Sequence, residues 1–319
     1  MNTNRREFIK RSTIAIAATT IPFHSPGATN FFNNNRKFKM SLNPGAIGVN
    51  ADQEELLNMA VKHKFEAIIA YANSLVNWSD TQISDFVGKM NSSNISWGAA
   101  GLPIDFRKDI DTYAKGLEDL PKKAAALQKA GVRRMSTWIM PTHPDLTYLQ
   151  NFKQHSTRLK EITIVLGNYG INFGLEYVGP KTLMASQKYP FLHTMNGCLE
   201  LIESVNEPNI GLQLDCFHWF CAGETKEDLL RLNNSQIVTC DLNDARAGLS
   251  ADEQIDQKRE LPMATGLVDL KSFMDALVEI GYDGPIRAEP FNQKLRDMEN
   301  EEALSTTFNA MNKAFKLVG

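Results

Sequence analysis

The feature that most constrains this chain is a regular alternation that begins near residue 38. Short apolar runs of β character recur at 38–50, 66–71, 95–101, 132–140, 171–178, 209–217, 236–242 and 285–291. Between most of them, apolar residues repeat at helical spacing: Leu56, Leu57, Ala60 and Val61 in one segment, Leu120, Ala124 and Leu127 in another, Phe273, Leu277 and Ile280 in a third. Gly131, Gly170 and Gly281 stand where such helices end and the chain turns into the next strand. Asp52, Asp80 and Thr225 read as helix N-caps. Strands joined through helices pair in parallel, because a helix-length crossover returns the chain to the same end of the sheet. Eight such units close into a single α/β domain, a (β/α)8 barrel. The alternative, an open doubly wound sheet, calls for a Gly-rich phosphate loop after the first strand, and neither G-x-G-x-x-G nor a P-loop occurs.

The first 28 residues stand outside that pattern. Arg5-Arg6-Glu7-Phe8-Ile9-Lys10-Arg11 precedes a short, largely small and apolar stretch from Ser12 to Phe23, a basic region followed by an apolar run as in a secretion leader. Its adjacent arginines, with Phe8 and Lys10 behind them, resemble the twin-arginine type, and the run is too short to cross about 30 Å of hydrocarbon. The expected organisation is a leader at 1–28, a linker at 29–37 and the barrel at 38–319, in the periplasm or otherwise exported, with no stable membrane insertion once the leader is gone. Removing the leader leaves 30 basic against 36 acidic residues, a net charge of −6. That balance disfavours nucleic acid and other polyanions as partners. The cysteines, Cys198, Cys216, Cys221 and Cys240, form no C-x-x-C pair, which argues against a zinc knuckle. Cys216 and Cys240 lie inside apolar runs and read as free buried thiols.

The chemistry follows from carboxylates placed inside apolar strands. Glu176 interrupts Phe173–Val178, Asp215 interrupts Gly211–Phe217, Asp241 interrupts Ile237–Leu242, and Glu289 follows Ile286-Arg287-Ala288. A lone ionised carboxylate in an apolar interior is costly, so each needs a paired charge or a cation. In a barrel the C-terminal ends of successive strands converge on one mouth. Four acids meeting there repel one another unless a divalent ion sits among them, and oxygen ligands suit Mn2+ or Mg2+. His218 follows Asp215 as D-x-x-H at the strand exit. Lys181, after Glu176, and His143, after the fourth run, read either as mouth residues or as solvated loop residues.

Glu176, Asp215-Cys216-Phe217-His218, Asp241-Leu242-Asn243-Asp244 and Glu289-Pro290-Phe291 together resemble the sugar phosphate isomerase/epimerase family of the xylose isomerase-like TIM barrel superfamily. The stretch Leu261–Phe291 carries the resemblance furthest. The resemblance implies metal ligands at Glu176, Asp215 and Glu289. Asp241 stands where the family usually has a histidine, which makes the ion site all-oxygen, and Met263 stands where a glycine is common. It also implies a substrate-orienting role for His218 and, as the nearest match to an arginine beyond the seventh strand, a substrate contact for Arg246. Glu176 and Glu289 become both ligands and the acid/base pair. The implied reaction is divalent-metal-dependent sugar isomerisation or epimerisation through an enediolate.

Two other readings stay open. One is a lyase or dehydratase acting on a keto-sugar, keto-inositol or 3-keto-glycoside, which export favours because phosphorylated metabolites are scarce outside the cytoplasm. The other is a non-catalytic sugar-binding barrel. A DNA-repair activity of the endonuclease IV type is disfavoured by the charge and because its three-metal site needs several more strand-end histidines than the chain offers. Family members are often dimers or tetramers, so a homo-oligomer is open.

Overall fold

The computed structural model describes residues 36–319; the leader and most of the linker expected at 1–28 and 29–37 lie outside the described residues. Each apolar run becomes a strand: β1 (Lys39–Leu42), β2 (Ala67–Ala70), β3 (Ser96–Gly101), β4 (Arg134–Ile139), β5 (Asn172–Tyr177), β6 (Ile210–Asp215), β7 (Ile237–Leu242) and β8 (Pro285–Ala288). All pair in parallel with their sequence neighbours, and β1 closes on β8, so the sheet is the barrel that the alternation predicts. The first strand is shorter than its apolar run, because Gly45–Ile47 folds as a tight helical turn.

The principal crossover helices are α1 (Gln53–Lys62), α2 (Asp80–Ser92), α3 (Ile110–Lys129), α4 (Tyr148–Asn168), α5 (Met195–Val205), α6 (Cys216–Ala222) and α7 (Leu270–Ile280), with α8 (Asn300–Phe315) following β8. Alternate strand residues explain the packing. Phe173, Leu175 and Tyr177 of β5, Leu212 and Leu214 of β6 and Cys240 and Leu242 of β7 are fully buried. They join the helix faces, among them Cys198, Leu201 and Val205 of α5 and Phe273 and Leu277 of α7, in one continuous core. The intervening residues, including Gln213, Asp215, Asp241 and Arg287, share the other face.

Local signals mostly act as read. Asp52 accepts from the Glu55 amide to cap α1, and Gly281 ends α7 at φ +76°, in the left-handed region that costs glycine nothing. At α2 the cap is Ser79, one residue before the expected Asp80. Ser79 and Gln82 form the reciprocal capping box, whereas Asp80 pairs with Lys129 at 2.6 Å. All four cysteines are free and buried. No helix among the described residues is long and apolar enough to cross a membrane.

Candidate active site

Register assembles the site. Asp215 of β6 is the partner of Asp241 of β7, which is the partner of Arg287 of β8, so three inward side chains stand side by side. On the other flank Trp138 of β4 is the partner of Glu176 of β5. The β8 ladder stops at Ala288, and Glu289 is the first residue past it, at the mouth. One carboxylate oxygen from each of Glu176, Asp215, Asp241 and Glu289 falls within 4.8 Å of the others.

Two guanidinium groups divide this acidic ring. Arg287 grips Asp241, with Nε at 2.5 Å from Oδ1 and Nη2 at 3.1 Å from Oδ2, and Gln213 donates a further bond to Oδ2 at 2.8 Å. Arg259 lies across the mouth. Its Nη1 donates to Asp215 Oδ2 at 2.7 Å and reaches Glu289 Oε2 at 3.4 Å; its Nη2 donates to Asp256 Oδ1 at 2.6 Å and to His218 Nε2 at 3.1 Å. The rings of Phe217 and Phe291 flank the same guanidinium, each 4.9 Å from it. Phe291 does so at φ +42°, a left-handed conformation rare for an aromatic residue, so backbone strain accompanies this placement.

The electrostatics follow from burial. Desolvation, reinforced by Glu289, Asp215 and Asp241, raises the Glu176 carboxyl well above the usual range. Burial and Asp241 push Glu289 up to about 8. Burial and the Arg259 charge hold His218 down to about 3, so its imidazole is neutral and its Nε2 accepts from the guanidinium. Burial alone would lower Arg259, yet Asp215, Asp256, Glu289 and Glu176 keep it firmly charged.

A divalent cation, which the resemblance implies, fits these residues. Glu176 Oε1 is buried with no hydrogen-bond partner among the described residues. Five carboxylates (Glu176, Asp215, Asp241, Asp256 and Glu289) face only two guanidinium groups here, so negative charge is in excess. Hard oxygen donors around an uncompensated buried carboxylate suit a hard ion.

The structure thus brings Glu176, Asp215, Asp241, Glu289 and His218 together. It places the other three candidates elsewhere. Lys181 pairs with Asp252 at 2.7 Å on the outer rim. Arg246 is exposed, its backbone tied to Gln254. His143 sits in a two-stranded antiparallel pair of Thr142–His143 with Tyr189–Pro190, its Nδ1 accepting from the Asp145 and Leu146 amides. The arginine at the mouth is Arg259, in a loop with no periodicity to announce it.

Two features fix the surroundings of His218 and Arg259. Gly179, just past β5, packs so close to α6 that a Cβ there would lie 2.4 Å from the His218 carbonyl oxygen. Asp244, fully buried, accepts from four backbone amides: Ala245, Thr265, Gly266 and Val268. Its own backbone exchanges two bonds with Glu260, next to Arg259. Met263, where the family commonly has glycine, adopts φ +67° within the same loop. Asp244→Ala is therefore expected to cost about 3 kcal/mol, because it strands buried donors, and to weaken substrate binding by loosening Arg259. Urea unfolding checks this; a loss below about 1 kcal/mol would show that the loop holds itself.

Comparison with known proteins agrees with this architecture. Residues 57–314 match the xylose isomerase-like TIM barrel family. An inosose isomerase of Halalkalibacterium halodurans is 29% identical over 166 residues, 50% of this chain and 55% of that protein. An inosose isomerase of Bacillus velezensis is 22% identical over 274 residues, 84% of this chain and 94% of its own. A ketose 3-epimerase of Arthrobacter globiformis is 29% identical over 126 residues, 40% of this chain and 37% of that protein. The chain thus spans about half the length of the first of these relatives. Among solved structures, a xylose isomerase domain protein from Alicyclobacillus acidocaldarius superposes with a TM-score of 0.77 at 24% identity, covering 88% of this chain and 99% of that one. The IOLI protein, solved with a bound zinc atom, superposes at 0.73 and 20% identity over 88% of this chain and 99% of its own. At these identities the structural likeness speaks to fold.

Proposed function

Because this chain belongs to the xylose isomerase-like TIM barrel family, we propose that it is a sugar isomerase or epimerase that moves a proton beside a carbonyl by carboxylate acid/base catalysis. The relatives named for inosose and ketose chemistry support the reaction class. The observation that carries the reading is the pair Glu176 and Glu289, the first buried and the second half-buried, both raised, and both with an oxygen in one cluster at the mouth.

Two carboxyls that cannot easily both ionise form a natural acid and base: the ionised one takes the proton next to the carbonyl, and the protonated one returns a proton. Arg259 holds a fixed positive charge beside the place where the enediolate forms, while its own donors stay on Asp215, Glu289, Asp256 and His218. Neutral His218, held through Nε2, keeps the guanidinium oriented. A divalent cation, held by Glu176, Asp215 and Glu289 with Asp241 beside them, would supply Lewis-acid polarisation of the carbonyl when bound. A lyase or dehydratase reading shares the same first proton transfer.

Protein loaded with Mn2+ is expected to incorporate solvent deuterium at the carbon next to the ketone of a keto-sugar, to stop after chelation, and to recover on adding the ion back. Absence of exchange across keto-sugars and keto-glycosides, with the ion shown to be bound, would leave a non-catalytic sugar-binding barrel as the better description.

A further inference from the structure

The cavity that Glu176 and Glu289 line has a volume of about 640 Å3, and six of its lining side chains are apolar: Trp138, Met140, Val178, Leu183, Ile255 and Phe291. A cavity in this range holds a drug-sized ligand. A bare sugar can lay only its C–H faces on such a wall, and its hydroxyls turn to the polar lining at Thr182, Asp256 and Gln257. A set of apolar side chains this extensive suits a group with fewer hydroxyls than a sugar, in the same cavity as Glu176 and Glu289.

The wall is also prepared. Trp138 is 41% exposed, unusual for an indole on a barrel strand, and stands in register with Glu176. Its orientation is fixed from one side by Arg107, whose guanidinium lies 4.1 Å from the ring centroid and donates from Nη1 to the Trp138 carbonyl at 2.8 Å. Across the cavity Ile255, 38% exposed, extends from the loop that also carries Asp256 and Arg259. Among the described residues the only cation lining the cavity is Arg259, and four side-chain acceptors already engage it. No cationic side chain of that lining has a donor free for a phosphate.

From the proposed proton-transfer reading, on which this rests, we infer that the substrate is a non-phosphorylated keto-sugar bearing an apolar, preferably aromatic, aglycone. The sugar carbonyl lies over the carboxylates and the aglycone stacks on Trp138 and packs against Ile255 and Met140. An aromatic face against an indole suits a flat ring, and Glu253 at the rim adds a reason for anionic substituents to be excluded.

The test compares two probes, the methyl and the 4-nitrophenyl glycosides of the same 3-keto-glucose, by solvent deuterium exchange next to the ketone in cation-loaded protein. The 4-nitrophenyl compound is expected to have a KM about tenfold lower. Trp138→Ala and, separately, Ile255→Ser should shrink that ratio toward one, and two variants guard against a fold defect in either. Equal KM values for the two probes in wild-type protein overturn the inference while leaving the proton-transfer reading intact. Exchange with neither probe counts against that reading instead. Calorimetric titration with methyl and 4-nitrophenyl glucosides then decides the aglycone, and no preference for the aryl compound overturns it.

Discussion

Glu289→Gln is expected to lower solvent proton exchange by about 10^3-fold and, in cation-free protein above neutral pH, to raise the melting temperature. Both effects come from one side chain. As a carboxylate, Glu289 supplies one half of the acid/base pair, and glutamine of nearly the same shape cannot transfer that proton. In the cation-free protein, burial and Asp241 push its carboxyl from 4.5 up to about 8. The sign follows from linkage: the folded state keeps a proton that the unfolded chain has lost, so this carboxyl's contribution is intact at low pH and falls away as pH rises from near 4.5 through about 8. Glutamine carries no charge at any pH and escapes that loss. Its carbonyl can still accept from Arg259, which lies 3.4 Å from Glu289 Oε2. Melting curves in chelator at pH 5 and pH 8.5 should show the variant gaining on wild type only at the higher pH, by on the order of 1–3 kcal/mol. Cation addition should reverse the ranking, because the variant loses a charged ligand. Full retention of proton exchange would remove Glu289 from the mechanism whatever the melting curves show.

How much of this was legible beforehand depends on whether the signal was periodic. The alternation places β1 to β8, and the strand-end acids follow because β-periodicity fixes which residues of Leu212–Asp215 or Ile237–Leu242 share a face. The conflict between Asp241 and its apolar neighbours is visible in the sequence, but its resolution is not. The sequence pattern groups Asp241 with the ion ligands and leaves Arg287 aside, although an arginine two residues before Glu289 is the same kind of anomaly. Only register, which turns on barrel closure, shows that the two are partners. Loops were the weakest ground. Lys181 and His143 are read from their places after strand ends and Arg246 from the resemblance, and loop residues carry no periodic constraint on direction. Arg259 lies 17 positions beyond the end of β7 and is brought back by the Asp244–Glu260 backbone pair and by the Thr265, Gly266 and Val268 amides on Asp244, long-range bonds that no local pattern announces.

The Asp241–Arg287 pair makes the second large prediction. Removing one partner of a buried ion pair strands the other, so Arg287→Met should cost about 3–5 kcal/mol. Both Asp241 oxygens are already engaged by Arg287 and Gln213, which leaves this acid less free to bind a cation than Glu176, whose Oε1 is unpartnered among the described residues. Replacing the pair together separates the two roles. In Asp241→His with Arg287→Met, no charge is stranded, and methionine fills much of the arginine's length with apolar atoms, so most of the lost stability should return. The imidazole then adds a nitrogen donor beside three carboxylates, which shifts preference toward zinc. Calorimetric titration should show zinc binding about tenfold or more tighter to the double variant than to wild type, with magnesium binding no stronger. If Arg287→Met alone unfolds at the wild-type urea midpoint, the pair is not the structural element its geometry describes. If the double variant is stable and zinc binds it no better, Asp241 does not border the ion at all, and the ligand set reduces to Glu176, Asp215 and Glu289.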